Sequence, residues 1–136
     1  MQIRIVIASI LILSAVAMAQ EQSHGRIERL GTVHFATSCN QEAQLEIDRS
    51  VALLHSFEFS RAIEGFNAAL GKDSSCAIAY WGIALSQWSN PFAWGIKDQG
   101  QLQAGRASAE RGKSLGVGSE RERAYIAAVL GFIRQL

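Results

Sequence analysis

This sequence contains almost no proline and little cysteine, and its net charge is close to zero. Of 136 residues, one is proline and two are cysteine, and 13 Lys and Arg balance 12 Asp and Glu. A single proline leaves long stretches free to be helical, because proline interrupts helices more strongly than any other residue. Two cysteines are too few for a disulfide-rich scaffold. The balanced charge, with no basic cluster, argues against a nucleic-acid partner.

Patterns that carry catalysis or metal binding are also missing. The sequence has no C-x-x-C or H-x3-H pair, and its three histidines, His24, His34 and His55, are not spaced as ligands on one helix. Gly112-Lys113-Ser114 ends like a phosphate-binding loop, but Ala107 stands where such a loop has its first glycine. No nucleophile stands beside a base. We therefore predict no enzyme activity, no metal and no cofactor.

The N-terminus has the layout of a secretory signal peptide. Arg4 precedes an apolar run over residues 5–17, and Ala17-Met18-Ala19 forms an A-x-A cleavage site. The run is shorter than the roughly 20 apolar residues of a membrane span, with an uncleaved anchor as the alternative. We predict that residues 1–19 are removed and that the protein is exported, either periplasmic or secreted, with no other membrane association.

Both cysteines, Cys39 and Cys76, lie in the exported part of the chain. An even number of cysteines in an oxidising compartment favours a disulfide, which we predict here; two buried thiols are the alternative. For a loop of this length, a disulfide contributes roughly 4 kcal/mol to stability.

After an extended lead-in over residues 20–40, apolar residues recur at helical spacing. Ser38 and Asn40 are candidate N-caps for the first helix, and Asp73-Ser74-Ser75 for the third. The predicted helices are Gln41–His55, Glu58–Leu70, Ser75–Trp88, Gln101–Leu115 and a fifth that opens at Ser119 and continues nearly to the C-terminus. Gly71 is expected to end the second helix. Glu120-Arg121-Glu122-Arg123 is interpreted as an exposed, charged first turn.

A 34-residue period links the first and third helices. Ile47 matches Trp81, Val51 matches Leu85 and Leu54 matches Trp88, all of them apolar. Repeats of this length are typical of helical solenoids, in which each helix pair buries its apolar face against the next pair. The sequence therefore predicts an all-α fold of antiparallel helix-pair repeats over residues 41–136.

The second helix carries Ala62-x-x-x-Phe66-x-x-Ala69 followed by a turn at Lys72-Asp73-Ser74, which resembles the second half of a tetratricopeptide repeat (TPR). Ser74 stands where that family usually has proline, and the Ser89–Gly100 loop shifts the fourth helix out of the 34-residue register. Residues 30–132 also resemble the N-terminal part of longer exported bacterial TPR-containing proteins. The resemblance implies that the repeat domain is incomplete at its C-terminus. It also implies that the domain contacts either a protein partner or further repeats of a longer chain.

The fifth helix has an apolar face with no sixth helix to cover it, which makes a homodimer through this C-terminal helix another expectation. First helices of successive TPR repeats line a concave surface, and the loop after Trp88 is rich in aromatic residues. The candidate binding residues are Ile47, Val51, Leu54, Trp81, Leu85, Trp88, Phe92 and Trp94.

Two interpretations of these residues remain at this point. They form an open groove for a partner, or the lead-in or the Ser89–Gly100 loop folds back and fills it, with Phe92 and Trp94 packed under the loop as a small additional core. For function, the leading hypothesis is a scaffold for protein–protein interaction. The alternatives are a part of a larger enzyme or transport system that binds an apolar ligand or substrate, and a fragment without a function of its own.

Overall fold

The computed structural model describes residues 30–93 and 97–135, so the predicted signal peptide lies outside the described residues. The described chain is all-helical, as the sequence predicts. Its five helices are α1 (Gln41–His55), α2 (Phe59–Lys72), α3 (Ile78–Trp88), α4 (Gln99–Leu115) and α5 (Glu120–Ile133). Within these residues, no helix is both long and apolar enough to cross a membrane.

Short polar side chains begin three of the helices. Asn40 accepts a hydrogen bond from the amide of Ala43 at 2.8 Å, and Asp98 accepts one from Gln101 at 2.7 Å. Ser119 and Glu122 form a reciprocal capping box at the start of α5. At the other end of α4, Gly116 adopts the left-handed conformation, with φ of 64°, that commonly follows a helix. These local signals explain why most helix ends fall near their predicted positions.

Three predicted helix boundaries are wrong. The helix α4 begins at Gln99 rather than Gln101, and the other two boundaries lie near Asp73. The carboxylate of Asp73 accepts hydrogen bonds from the Ser75 amide at 3.0 Å and from the Ser75 hydroxyl at 2.6 Å. This Asx-type turn keeps residues 73–76 out of the helix, so α3 begins at Ile78 rather than Ser75 and has no side-chain cap. Gly71 does not end α2, which continues to Lys72.

Consecutive helices pack against each other, and α3 also contacts α1 and α5. The helices approach closely where a glycine faces a larger neighbour. A Cβ on Gly65 of α2 would lie 2.2 Å from Ser50 Oγ of α1, and a Cβ on Gly82 of α3 would lie 2.3 Å from the ring of Phe66. The three residues of the TPR-like pattern, Ala62, Phe66 and Ala69, are all fully buried. A solenoid arrangement of these helix pairs stays a prediction.

A disulfide joins Cys39 to Cys76 and fixes the lead-in against the start of α3. Such a bond is consistent with an oxidising compartment. Residues 30–40 form neither helix nor strand, and Leu30, Val33 and Phe35 pack against the core. Residues 30–40 of the lead-in therefore belong to the folded domain.

Candidate binding site

The eight predicted binding residues separate into three groups in the structure. Ile47, Val51 and Trp81 lie in the core, with 1%, 3% and 9% of their surface exposed. Leu54, Leu85, Trp88 and Phe92 come together around one surface pocket. Trp94 lies outside the described residues.

The lead-in covers the part of the predicted groove at Trp81. The Phe35 ring stacks on Trp81 with centroids 5.4 Å apart and planes 7° apart, and its centroid is 5.7 Å from that of Tyr125 of α5. The Arg121 guanidinium lies over the Phe35 ring, 5.4 Å from its centroid, and donates a hydrogen bond to the Ala36 carbonyl. Here the chain itself fills the groove, so Trp81 is not available to a partner.

Glu122 anchors the lead-in to α5. One carboxylate oxygen accepts from the Ser38 amide at 2.8 Å; the other accepts from the Ser38 hydroxyl at 2.7 Å and the Ser119 amide at 2.6 Å. Burial raises the pKa of the Glu122 carboxyl, but these hydrogen bonds outweigh burial and hold the pKa below its ordinary value. The interpretation of Glu122 as part of an exposed turn is wrong, because only 1% of its surface is exposed.

An apolar pocket of about 220 Å³ lies where α1, α3 and two connecting segments meet. The end of α1, the turn after it and the first residue of α2 contribute Leu54, His55, Phe57 and Phe59. The end of α3 and the following loop contribute Leu85, Trp88, Ser89, Pro91 and Phe92. The ring centroid of Phe57 lies 5.9 Å from that of Phe59 and 6.4 Å from that of Phe92. Phe57 and Phe92 are 51% and 75% exposed, so the pocket opens to solvent between large apolar rings.

The backbone is strained on both sides of this pocket. In the described chain, two residues other than glycine have positive φ: Phe57 at 62° and Ser89 at 68°. Ser89 combines this φ with a ψ of −157°, a region that is almost restricted to glycine. Such conformations cost roughly 1–3 kcal/mol each and cluster at binding and catalytic sites. Phe57 is also the left-handed residue of the turn that ends α1, in which the Glu58 amide donates to the Leu53 carbonyl. Both Phe57 and Ser89 line the pocket.

Trp88 connects the pocket to the rest of the fold. Its ring meets that of Phe132 edge to face at 4.7 Å, and Lys97 Nζ lies 5.0 Å from its centroid. The same ammonium donates to the Asn90 carbonyl at 2.7 Å, while the Asn90 side chain accepts from the Phe92 amide at 2.8 Å. The buried indole N–H of Trp88 has no hydrogen-bond partner among the described residues. An unpaired buried donor costs about 1–3 kcal/mol.

Groups that could bind a metal ion do not assemble in residues 30–93 and 97–135. His34 Nδ1 lies 3.3 Å from an Asp48 oxygen at the surface, and His55 lies at the pocket wall. A second depression, of about 300 Å³, is bordered by Gly112, Lys113 and Arg123 and has no aromatic wall.

The sequence signals for the pocket are incomplete. The 34-residue comparison finds Leu54, Leu85 and Trp88, and the aromatic content of the loop finds Phe92. Neither signal identifies Phe57 or Phe59, although two phenylalanines beside a short turn are themselves unusual.

Comparison with known proteins adds no further evidence: the chain matches none of the models of protein families, none of the curated proteins and none of the solved structures.

Proposed function

We propose that this chain is an exported, TPR-like binding module that holds an apolar side chain of a protein partner in the pocket between Phe57, Leu85 and Phe92, and that it acts by binding rather than catalysis. The observation that carries this proposal is the convergence of local costs on one pocket. Phe57 and Ser89 have strained backbones, the rings of Phe57 and Phe92 are exposed, and the buried indole N–H of Trp88 has no partner among the described residues; all four residues line this pocket. A fold that maximised its own stability would relieve them.

The size of the pocket favours a side chain over a free small molecule. Pockets for small molecules usually have volumes of roughly 300–1,000 Å³, whereas this one has about 220 Å³. Aromatic side chains at the rim suit a protein partner, because they provide large contact areas with few rotatable bonds. The disulfide and the signal-like N-terminus support a partner that meets the chain outside the cytoplasm.

Selection from a displayed library of random 12-residue peptides tests this proposal. The bait is the chain after export, and each selected peptide is then synthesised and titrated by fluorescence polarisation. We expect the peptides to share an apolar residue and Phe92→Ala to weaken their binding at least about tenfold, which corresponds to about 1.4 kcal/mol.

Leu45→Ala is the matched control, since Leu45 is also a large exposed apolar residue, at 67%, but does not line the pocket. We expect it to leave peptide affinity unchanged. Failure to select any peptide, or equal losses in Phe92→Ala and Leu45→Ala, would overturn the proposal.

A further inference from the structure

Residues 30–38 form a strap that side chains hold against the helices. Within the described chain, no hydrogen bond joins the backbone of this strap to the backbone of a helix. Side chains of α1 and α5 instead bind five backbone groups: the amides of Phe35, Thr37 and Ser38 and the carbonyls of Phe35 and Ala36. Every residue except proline offers these groups. The Thr37 and Ser38 hydroxyls add one hydrogen bond each, at 2.7 Å, so two hydroxyl side chains are also recognised.

One side chain of the strap is enclosed by aromatic rings. Exposure alternates from residue to residue over positions 32–39, as in an extended chain, and Phe35 lies on the inward side. The centroid of its ring is 5.4 Å from that of Trp81 and 5.7 Å from that of Tyr125. The outward side is exposed and comprises His34, Ala36 and Ser38. The helices therefore bind the strap as an extended peptide and select one aromatic residue in it.

The side chains that bind the strap are also held in place by their own helices. On α1, the Gln44 amide group donates to the Asp48 carboxylate at 2.7 Å as well as to the strap. On α5, Glu122 belongs to the capping box with Ser119, whose amide donates to it at 2.6 Å. These bonds do not involve the strap, so the binding groups stay in position when the strap leaves. The surface is therefore preorganised for an extended peptide.

A covalent bond attaches the strap at its C-terminal end. Cys39 follows the last residue of the strap, and its disulfide holds that end at Cys76. None of residues 30–38 is fully buried, whereas Leu53 and Phe66 of the helices have no exposed surface. Segments with few buried contacts open at a lower free energy than the core does. The strap can therefore leave this surface while the five helices and the disulfide stay intact.

We infer that the surface beneath the strap is a second peptide-binding site, separate from the pocket at Phe57, and that the strap is its internal competitor. The partner is an extended protein segment with an aromatic residue in the place of Phe35 and Ser or Thr in the places of Thr37 and Ser38. It displaces the strap and makes the same hydrogen bonds. Because the strap is tethered, it competes at an effective concentration on the order of millimolar. A partner segment consequently binds more tightly when the strap is weakened.

A peptide with the sequence of the strap, N-acetyl-LGTVHFATS-amide, tests this inference on the complete exported chain. Phe35→Ala weakens the internal competitor and leaves every group of the surface beneath it in place. We expect fluorescence polarisation to show that the labelled peptide binds Phe35→Ala at least about tenfold more tightly than wild type. Binding should also shift the tryptophan emission of this variant to the blue, because the phenylalanine of the peptide covers Trp81.

A second variant and two controls complete this test. Thr37→Pro removes the amide that donates to Gln44 and should raise the affinity for the peptide in the same way. Leu45→Ala, at an exposed apolar residue outside the strap, should bind the peptide as weakly as wild type. A peptide with alanine in place of its phenylalanine should not bind. Equal affinities of wild type and both strap variants, or undiminished binding of the alanine peptide, would overturn the inference.

Two further measurements separate this site from a second copy and from the pocket. Straps exchanged between two chains would make a dimer. We expect light scattering of wild type to show no dimer that an excess of the strap peptide dissociates; such a dimer would assign the surface to a second copy and contradict the inference. Peptides selected for the pocket should bind Phe35→Ala with unchanged affinity, because Phe35 does not line the pocket. A failure to bind at the pocket therefore concerns the proposed function and not the strap.

Discussion

Replacing Glu122 with glutamine should destabilise the domain by about 2–3 kcal/mol, because an amide cannot reproduce the three hydrogen bonds that the carboxylate accepts. If the amide oxygen faces the Ser38 amide, the NH2 group faces the Ser119 amide; if the side chain is turned over, the conflict moves to Ser38. In either orientation one backbone N–H loses its acceptor. A hydrogen bond to a charged group contributes roughly 1.5–3 kcal/mol, and removal of the buried charge offsets part of the loss.

Equilibrium urea unfolding at pH 7, followed by circular dichroism, measures this difference. For a domain of this size it corresponds to a fall in Tm of about 10–20 °C. Glu120→Gln is the matched control, because Glu120 lies on the same turn of α5 but is exposed. A cost for Glu122→Gln within about 0.5 kcal/mol of that control would refute the reasoning, since this is the usual range for surface substitutions.

The difference between wild type and Glu122→Gln should also depend on pH. The pKa of Glu122 is lowered in the folded protein, so its stabilising effect is fully present above the pKa of the unfolded chain, about 4.3. It is lost as the pH falls through the folded pKa. We therefore expect the two proteins to converge in stability when the pH is lowered from 5 towards 2, and a constant difference would contradict the hydrogen-bonded carboxylate.

Three further predictions concern strain, the disulfide and the covered groove. Ser89→Gly should raise the free energy of unfolding by about 1 kcal/mol, because glycine adopts the φ and ψ of this position freely; Ser108→Gly, within α4, should lower it by a similar amount, and a loss in both would contradict the strain. Replacing Cys39 and Cys76 together with serine should cost about 4 kcal/mol in a thermal unfolding curve, and an unchanged Tm would show that the bond does not stabilise the domain. Phe35→Ala should cost about 2 kcal/mol and shift tryptophan emission to the red as Trp81 is exposed; an unshifted spectrum would mean that the lead-in does not cover Trp81.

Local sequence signals were sufficient for most of the helices. Three helix starts are marked by the capping residues Asn40, Asp98 and Ser119. Each cap accepts a hydrogen bond from the amide three residues later, a separation that a sequence pattern can cover. The sequence misplaces the start of α3 because Asp73 and Ser75 are both residue types that cap helices. In the structure, the Ser75 amide and hydroxyl donate to the Asp73 carboxylate and form a turn before the helix. Residue type alone does not distinguish these two uses.

The candidate site depends more on long-range contacts and was found only in part. The sequence alone does not distinguish Glu122 from the other charges on the helix surface, because its partner Ser38 lies 84 residues away along the chain. Periodicity placed Leu85 and Trp88 on one surface, but it does not report which part of that surface Phe35 covers. The positive φ of Phe57 has no sequence signature, because glycine or asparagine would be expected there.

The most direct test of a pocket for an apolar side chain is a titration of methyl-labelled protein with single capped amino acids, followed by NMR. Leu54 and Leu85 line the pocket, while Leu45 is exposed elsewhere and serves as an internal control. Burying one apolar side chain contributes about 1.5–3 kcal/mol, so N-acetyl-leucinamide should bind with a dissociation constant on the order of 10 mM. We predict saturable shifts of the Leu54 and Leu85 methyl signals with N-acetyl-leucinamide and none with N-acetyl-asparaginamide. Equal shifts at Leu45, or no saturation at either pocket leucine, would contradict the proposed function.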